Sequence, residues 1–155
     1  MKPRETVDYN IKASWHAISR MYNAAASRHQ ITAAIGFVLL NIDQEHGTPA
    51  TKIAPLLGLE TRSLTRMLKT MEEKGLVYRE ADDKDRRSVK ILLTEKGKAK
   101  REVSRQTVRN FNHLVRENIS SEKLAVFFEV IDEINRLVEG RRFEQPAPTE
   151  PLLNQ

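Results

Sequence analysis

Residues 53–97 read IAPLLGLETRSLTRMLKTMEEKGLVYREADDKDRRSVKILLTEKG, and the glycines punctuate them. Gly58 ends a short helix whose inner face is Ile53, Leu56 and Leu57. A turn at Gly58-Leu59-Glu60 leads into a longer helix from Thr61 to about Lys74, closed by Gly75. Leu64, Met67, Leu68 and Met71 give that longer helix a single apolar stripe. Two strand-like runs follow, Leu76 to Ala81 and Ser88 to Leu93, joined by Asp82-Asp83-Lys84-Asp85-Arg86-Arg87. In the second run Val89, Ile91 and Leu93 alternate with polar residues, as a half-exposed strand requires. Helix, glycine turn, helix and charged hairpin in that order make a winged helix-turn-helix.

Upstream, Val7, Ile11, Trp15, Ile18, Tyr22 and Ala25 recur at spacings of three and four, which predicts a long first helix. A second helix is expected from about Thr32, carrying Ile35, Val38, Leu39 and Ile42 and stopping near His46-Gly47. Thr48 then reads as an N-cap, with Pro49 at the first position of the third helix. Pro55 lies inside that third helix, where proline removes a hydrogen bond at a cost of about 3 kcal/mol. The helix is therefore expected to be kinked, or irregular in its first turn. Downstream, Thr94 caps a fifth helix that opens on Glu95 and runs past Val103, Val108, Phe111 and Leu114. Ser120-Ser121 caps a sixth, with Leu124, Phe127, Phe128, Ile131, Ile134, Leu137 and Val138. From Glu144 the chain turns to proline and polar residues, a tail expected to be disordered.

Composition narrows the function. No apolar run approaches the roughly 18 residues of a membrane helix, and the N-terminus has no secretory h-region. The 155 residues contain no cysteine, which excludes disulfides, thiolate metal sites and thiol-based redox sensing, and fits a cytoplasmic protein. His16, His29, His46 and His113 lie too far apart for a recognisable zinc motif, so no metal or cofactor is expected. Neither a glycine-rich phosphate loop nor a G-x-S-x-G elbow is present, which argues against an enzyme. The net charge of +5 is concentrated: between Thr48 and Arg101 fourteen Lys and Arg face eight Asp and Glu, a surplus of six, leaving the rest near neutral. A basic module between neutral segments is the footprint of phosphate-backbone binding.

The face of the fourth helix opposite its apolar stripe holds Thr61, Arg62, Thr65, Arg66 and Lys69. Arginine presents a planar fork that spans guanine O6 and N7, and threonine can bond base edges or pack its methyl on thymine. Lys69, and Lys52 on the preceding helix, suit phosphate contacts that fix register. Such a stripe also occurs on any solvated amphipathic helix. The hairpin tip places Lys84, Arg86 and Arg87 among aspartates, where an arginine can enter a narrow minor groove and Asp85 can hold Arg87 extended. The plainer alternative is a mixed-charge turn that keeps an edge hairpin soluble.

With these motifs the stretch from Ile53 to Gly97 resembles the DNA-binding core of MarR-type transcriptional regulators. The resemblance rests on Leu57-Gly58-Leu59, Ser63-Leu64-Thr65-Arg66, Glu73 to Val77, and Asp85-Arg86-Arg87 followed by Leu93 to Gly97. It implies that Asp85 and Arg87 are the wing motif and that Ser63 stands with Arg62, Thr65 and Arg66 at the DNA. It departs from the family at Glu60, where serine is common, so that Thr61 is expected to cap the recognition helix. Ile35-Gly36 is a further departure, at the place of a glutamine and a large apolar residue. The implied architecture is mainly α with a small β-hairpin wing. Residues 1–143 form one chain, with dimerisation helices at about 5–30 and 95–140 around a DNA-binding core at about 31–94, and 144–155 form the tail.

Trp15, Tyr22, Phe111, Phe127 and Phe128 make the outer helices aromatic, either for a homodimer interface or to enlarge a monomeric core. A homodimer would set two recognition helices about one DNA turn apart on a pseudo-palindromic operator. The resemblance also implies repression relieved by a small phenolic or aromatic acid, for which Trp15, His16, Ile35 and Phe111 are the candidate pocket residues. The rival reading is a helical protein–protein adaptor that uses its winged domain without DNA.

Overall fold

The computed structural model describes residues 2–81 and 88–140. A 3-10 turn at Pro3–Glu5 precedes α1 (Val7–Ser27), α2 (Ala33–Leu40), β1 (Thr48–Pro49), α3 (Ala50–Leu57), α4 (Thr61–Glu73), β2 (Val77–Ala81), β3 (Val89–Leu93), α5 (Glu95–Asn118) and α6 (Ser121–Glu139). The chain divides into two compact units, Met1–Asn110 and Phe111–Gln155, with the division inside α5. The tail 144–155 lies outside the described residues. No helix among them is long and apolar enough to cross a membrane.

The first unit is organised around α2, whose sequence AAIGFVLL is apolar on every side because it is central. Val38, Leu39, Ile42, Ile53, Met71, Leu76 and Ile91 are the most deeply buried large side chains, so α2, α3, α4 and the sheet share one core. Each such side chain contributes about 1.5–3 kcal/mol of burial. The sheet is antiparallel in the order β1-β3-β2. Val77 pairs with Leu93 and Ala81 with Val89 along the wing.

Three local expectations are corrected. Thr48-Pro49 does not start a helix: it is an edge strand, with Thr48 opposite Ile91 and Pro49 opposite Lys90. Proline is tolerated at such an edge, and α3 begins one residue later. The cause lies upstream, where α2 stops at Leu40 rather than near His46. Asp43 Oδ1 accepts the N–H groups of Glu45 and His46, and Gly47 turns with φ 67. A Cβ on Gly47 would lie 2.7 Å from the Ile91 carbonyl oxygen, so glycine permits β1 to close on β3. Leu56, expected inside, is 65% exposed, and Ala54 takes the buried position one helical turn from Ala50. As for Pro55, α3 is continuous around it. The proline is exposed and the helix ends two residues later at Leu57, so the one missing hydrogen bond leaves the Thr51 carbonyl on a solvated face.

The joint between wing and α5 is tight. Thr94 N–H donates to the Leu76 carbonyl, and a Cβ on Gly97 would fall 1.9 Å from that same oxygen. Along α1 the apolar stripe divides: Tyr22 is buried, Ile18, Met21 and Ala25 are half-buried, and Val7, Ile11 and Trp15 are exposed. In the second unit Ser120 caps α6 by accepting the Lys123 N–H. Leu124 is buried and Ile131 and Ile134 are half-buried, while Phe127, Phe128, Val130 and Val138 are exposed.

Candidate nucleic-acid interface

The amphipathic pattern of α4 orients the site. Leu64, Leu68 and Met71 are buried in the shared core, which turns Thr61, Arg62, Ser63, Thr65, Arg66 and Lys69 outward together. Lys52 is exposed on α3, the helix that packs against α4. Among the described residues no carboxylate pairs with Arg62, Arg66, Lys69 or Lys52, whereas Arg79, Lys98, Arg105 and Arg136 each have one. Among the described residues the stripe therefore carries positive charge without a paired carboxylate.

The start of α4 differs from expectation in a way that bears on binding. Glu60, not Thr61, is the N-cap, and its side chain makes no capping bond. Thr61 is the first helical residue, because the extended backbone at Glu60 (φ −68, ψ 143) already starts the helix there. The first-turn N–H groups thus point outward without a side-chain acceptor, the arrangement in which a helix N-terminus receives phosphate. Thr65 Oγ1 donates to the Thr61 carbonyl at 2.9 Å. Its donor is spent within the helix, and what it offers outward is acceptor lone pairs and a methyl group.

The wing is anchored to this helix. Arg79 Nε on β2 donates to Glu72 Oε2 on α4 at 2.9 Å, across the base of the hairpin. Lys84, Asp85, Arg86 and Arg87, the expected wing contacts, lie outside the described residues.

Trp15, His16 and Ile35, expected with Phe111 to receive an effector, are not among the residues that line the cavity of the first unit. A cavity of about 20 Å³ lies among α1, α2 and α5, lined by Tyr22, Gly36, Phe37, Ser104 and Thr107 with their apolar neighbours. The Trp15 ring centroid lies 6.4 Å from that of Phe37. Tyr22 meets Phe37 edge-on at 5.5 Å, and burial pushes the Tyr22 phenol up. Ile35 instead belongs to the core, His16 is exposed, and Phe111 falls in the second unit. The cavity-lining positions were missed because Gly36 and Phe37, one and two positions beyond Ile35, line the side of α2 that faces Ser104 of α5. The run of small residues Ala33, Ala34 and Gly36 was the available signal for a close helix approach.

The comparisons with known proteins agree with this geometry. Residues 31–89 match the model of the MarR family. The chain is 36% identical over 90 residues to the HTH-type transcriptional regulator TtmR of Methylorubrum extorquens, a match covering 58% of this chain and 46% of TtmR. It thus spans about half the length of that relative. It is 31% identical over 121 residues to the HTH-type transcriptional regulator SarZ of Staphylococcus aureus, covering 77% of this chain and 76% of SarZ. Among solved structures, the transcriptional repressor CouR bound to a 23-mer DNA duplex superposes with a TM-score of 0.72 at 26% identity, covering 85% of this chain and 94% of CouR. With a recognition helix, an anchored wing and a relative matched over three quarters of both chains, this protein belongs to the MarR family of winged-helix transcription regulators.

Proposed function

We propose that the chain binds double-stranded DNA as a homodimer, reading a pseudo-palindromic operator with α4 in the major groove and acting as a transcriptional repressor. The observation that carries this is the outward stripe of Arg62, Thr65, Arg66 and Lys69 without carboxylate partners among the described residues, next to an uncapped helix N-terminus. Arg62 and Arg66 are the base readers, and Lys52, Ser63, Lys69 and the first-turn N–H groups meet phosphates. Thr61, first in that turn, sits at the backbone with them. Lys84, Arg86 and Arg87, with Asp85 orienting Arg87, supply the minor-groove contact. CouR, a repressor solved on duplex DNA, is the relative of known fold that supports the assignment.

Dimerisation is supported by apolar surface that a monomer would leave in water: Val7, Ile11 and Trp15 on α1, and Phe127, Phe128 and Val138 on α6. The molecule is a cytoplasmic binding protein rather than an enzyme. Release from DNA by a small aromatic acid would need the cavity of α1, α2 and α5 to open. At about 20 Å³ it holds about one water, on the measure of roughly 10–15 Å³ each.

The test is a footprint on the DNA upstream of the protein's own coding region across a salt series, together with the mass in solution. Protection of two half-sites about one turn apart, weakening with salt, and a dimeric mass are expected. A monomer that protects no duplex would overturn the assignment and favour an adaptor.

A further inference from the structure

The far end of α4 carries a second concentration of charge. Lys74, its C-cap, is roughly 18 Å along the axis from Arg62 at about 1.5 Å per residue. There a cavity of about 130 Å³ is lined by Gln30, Ile31, Lys74, Leu76, Lys96 and Lys100. Lys96 and Lys100 are four residues apart on α5 and so share one face. Among the described residues none of the three lysines pairs with a carboxylate. Their one side-chain hydrogen bond among the described residues is Lys96 Nζ donating to the Lys74 carbonyl at 2.8 Å. Lys98, between them in sequence but on another face, is neutralised by Glu95 at 2.9 Å. Three like charges gathered around a void, in a protein that pairs the neighbouring lysine, lack a counter-charge among the described residues.

Gln30 adds a second feature. It has φ 60, the left-handed position of the turn that ends α1, with its N–H on the Ser27 carbonyl and the Ile31 N–H on the Ala26 carbonyl. Glycine is the usual residue there, and an L side chain is strained. Here the strained position puts Gln30 in the cavity wall, and its amide is a group that donates readily to oxyanions.

We propose that this cavity binds a small multivalent oxyanion, a phosphoryl group or a short polycarboxylate, held by the ammonium groups of Lys74, Lys96 and Lys100 with Gln30 at its side. The room exceeds that of several waters at roughly 10–15 Å³ each, which suits such an anion. A bound anion competes with the Lys74 carbonyl for Lys96 Nζ and so acts on the bond that ties α5 to the end of α4. The site requires no DNA, so its failure and that of the DNA-binding assignment are separable.

The experiment titrates the full chain with inorganic phosphate and, separately, with citrate, at ionic strength held constant with chloride, following backbone amide shifts. Saturable shifts confined to Ile31, Leu76 and the start of α5 are expected with at least one of the two anions, and the one that saturates names the class. The Lys74→Gln/Lys100→Gln variant should bind at least tenfold more weakly. Lys12→Gln/Lys123→Gln, which removes the same charge elsewhere, should keep the original affinity. The shift map of the unaltered protein stands as evidence even if the first variant fails to fold. Unsaturated shifts scattered over surface lysines, or equal weakening in both double variants, would overturn the site.

Discussion

Thr94 donates its hydroxyl proton to the carbonyl oxygen of Gly75 at 2.6 Å while accepting the N–H of Gly97 at 3.0 Å. One side chain thereby caps α5 and fastens it to the end of the recognition helix, and the absent Cβ of Gly97 lets the Leu76 carbonyl approach. Gly97→Ala would set a methyl 1.9 Å from that backbone oxygen. Backbone cannot rotate aside as a side chain can, so a loss of about 1–3 kcal/mol or more is expected. Thr94→Val keeps the shape and removes both hydrogen bonds, for a loss of about 1–3 kcal/mol. Urea unfolding measures both; a Gly97→Ala protein as stable as the original would contradict the packing described.

A second close approach behaves differently because its neighbour is a side chain. A Cβ on Gly36 would meet Ser104 Oγ at 2.8 Å, and that hydroxyl donates to the Lys100 carbonyl one turn back. Alanine in a helix interior is favoured over glycine by about 1 kcal/mol. Gly36→Ala should realise that gain only when Ser104 gives way, so it should stabilise the Ser104→Ala background more than the original chain. A double-mutant cycle by urea unfolding should show a coupling of about 0.5 kcal/mol or more, and strict additivity would deny the contact.

How much was legible beforehand follows the range of the interactions. The limits of α4 could be read because Gly58 and Gly75 mark its ends and indeed turn at φ 61 and 68. The caps at Thr94 and Ser120 depend only on residues three positions on, and both form. β1 could not be read, since its two residues become a strand only by pairing with Ile91 and Lys90, distant in sequence. Leu56 was misplaced because spacings of three and four describe the same stripe until a partner selects one. The charged face of α4 needs only helical period, and so was visible. The cavities require Gly36 to meet Ser104 and Lys74 to meet Lys96; small residues around Gly36 signal a close approach, but no local pattern names the partner.

The loop between α2 and β1 should respond to acid. The N–H groups of His46 and Glu45 hold the Asp43 carboxyl below its ordinary range. A carboxylate depressed in the folded state contributes stability in full above its unfolded pKa of about 3.9, and loses it as pH falls through the lower folded value. The melting temperature of the original protein minus that of Asp43→Asn should therefore be largest near neutral pH and shrink below about pH 4. A difference constant across that window would remove Asp43 from any part in acid sensitivity.

The recognition helix offers the most direct separation of roles. Arg66 and Lys69 are both exposed on α4, one turn apart, and neither has a carboxylate partner among the described residues. If Arg66 reads a base through its guanidinium fork, Arg66→Ala costs about 1–3 kcal/mol on the operator and flattens preference at one position of each half-site. If Lys69 meets a phosphate, Lys69→Ala weakens operator and unrelated duplex alike, and lowers the steepness of the salt dependence by about one ion per contact. Binding of both variants to the operator and to single-base variants of it, at several salt concentrations, distinguishes the two. Equal losses on every sequence for both variants would move Arg66 to the phosphate backbone and leave Arg62, one turn nearer the uncapped N-terminus, to carry the base contact.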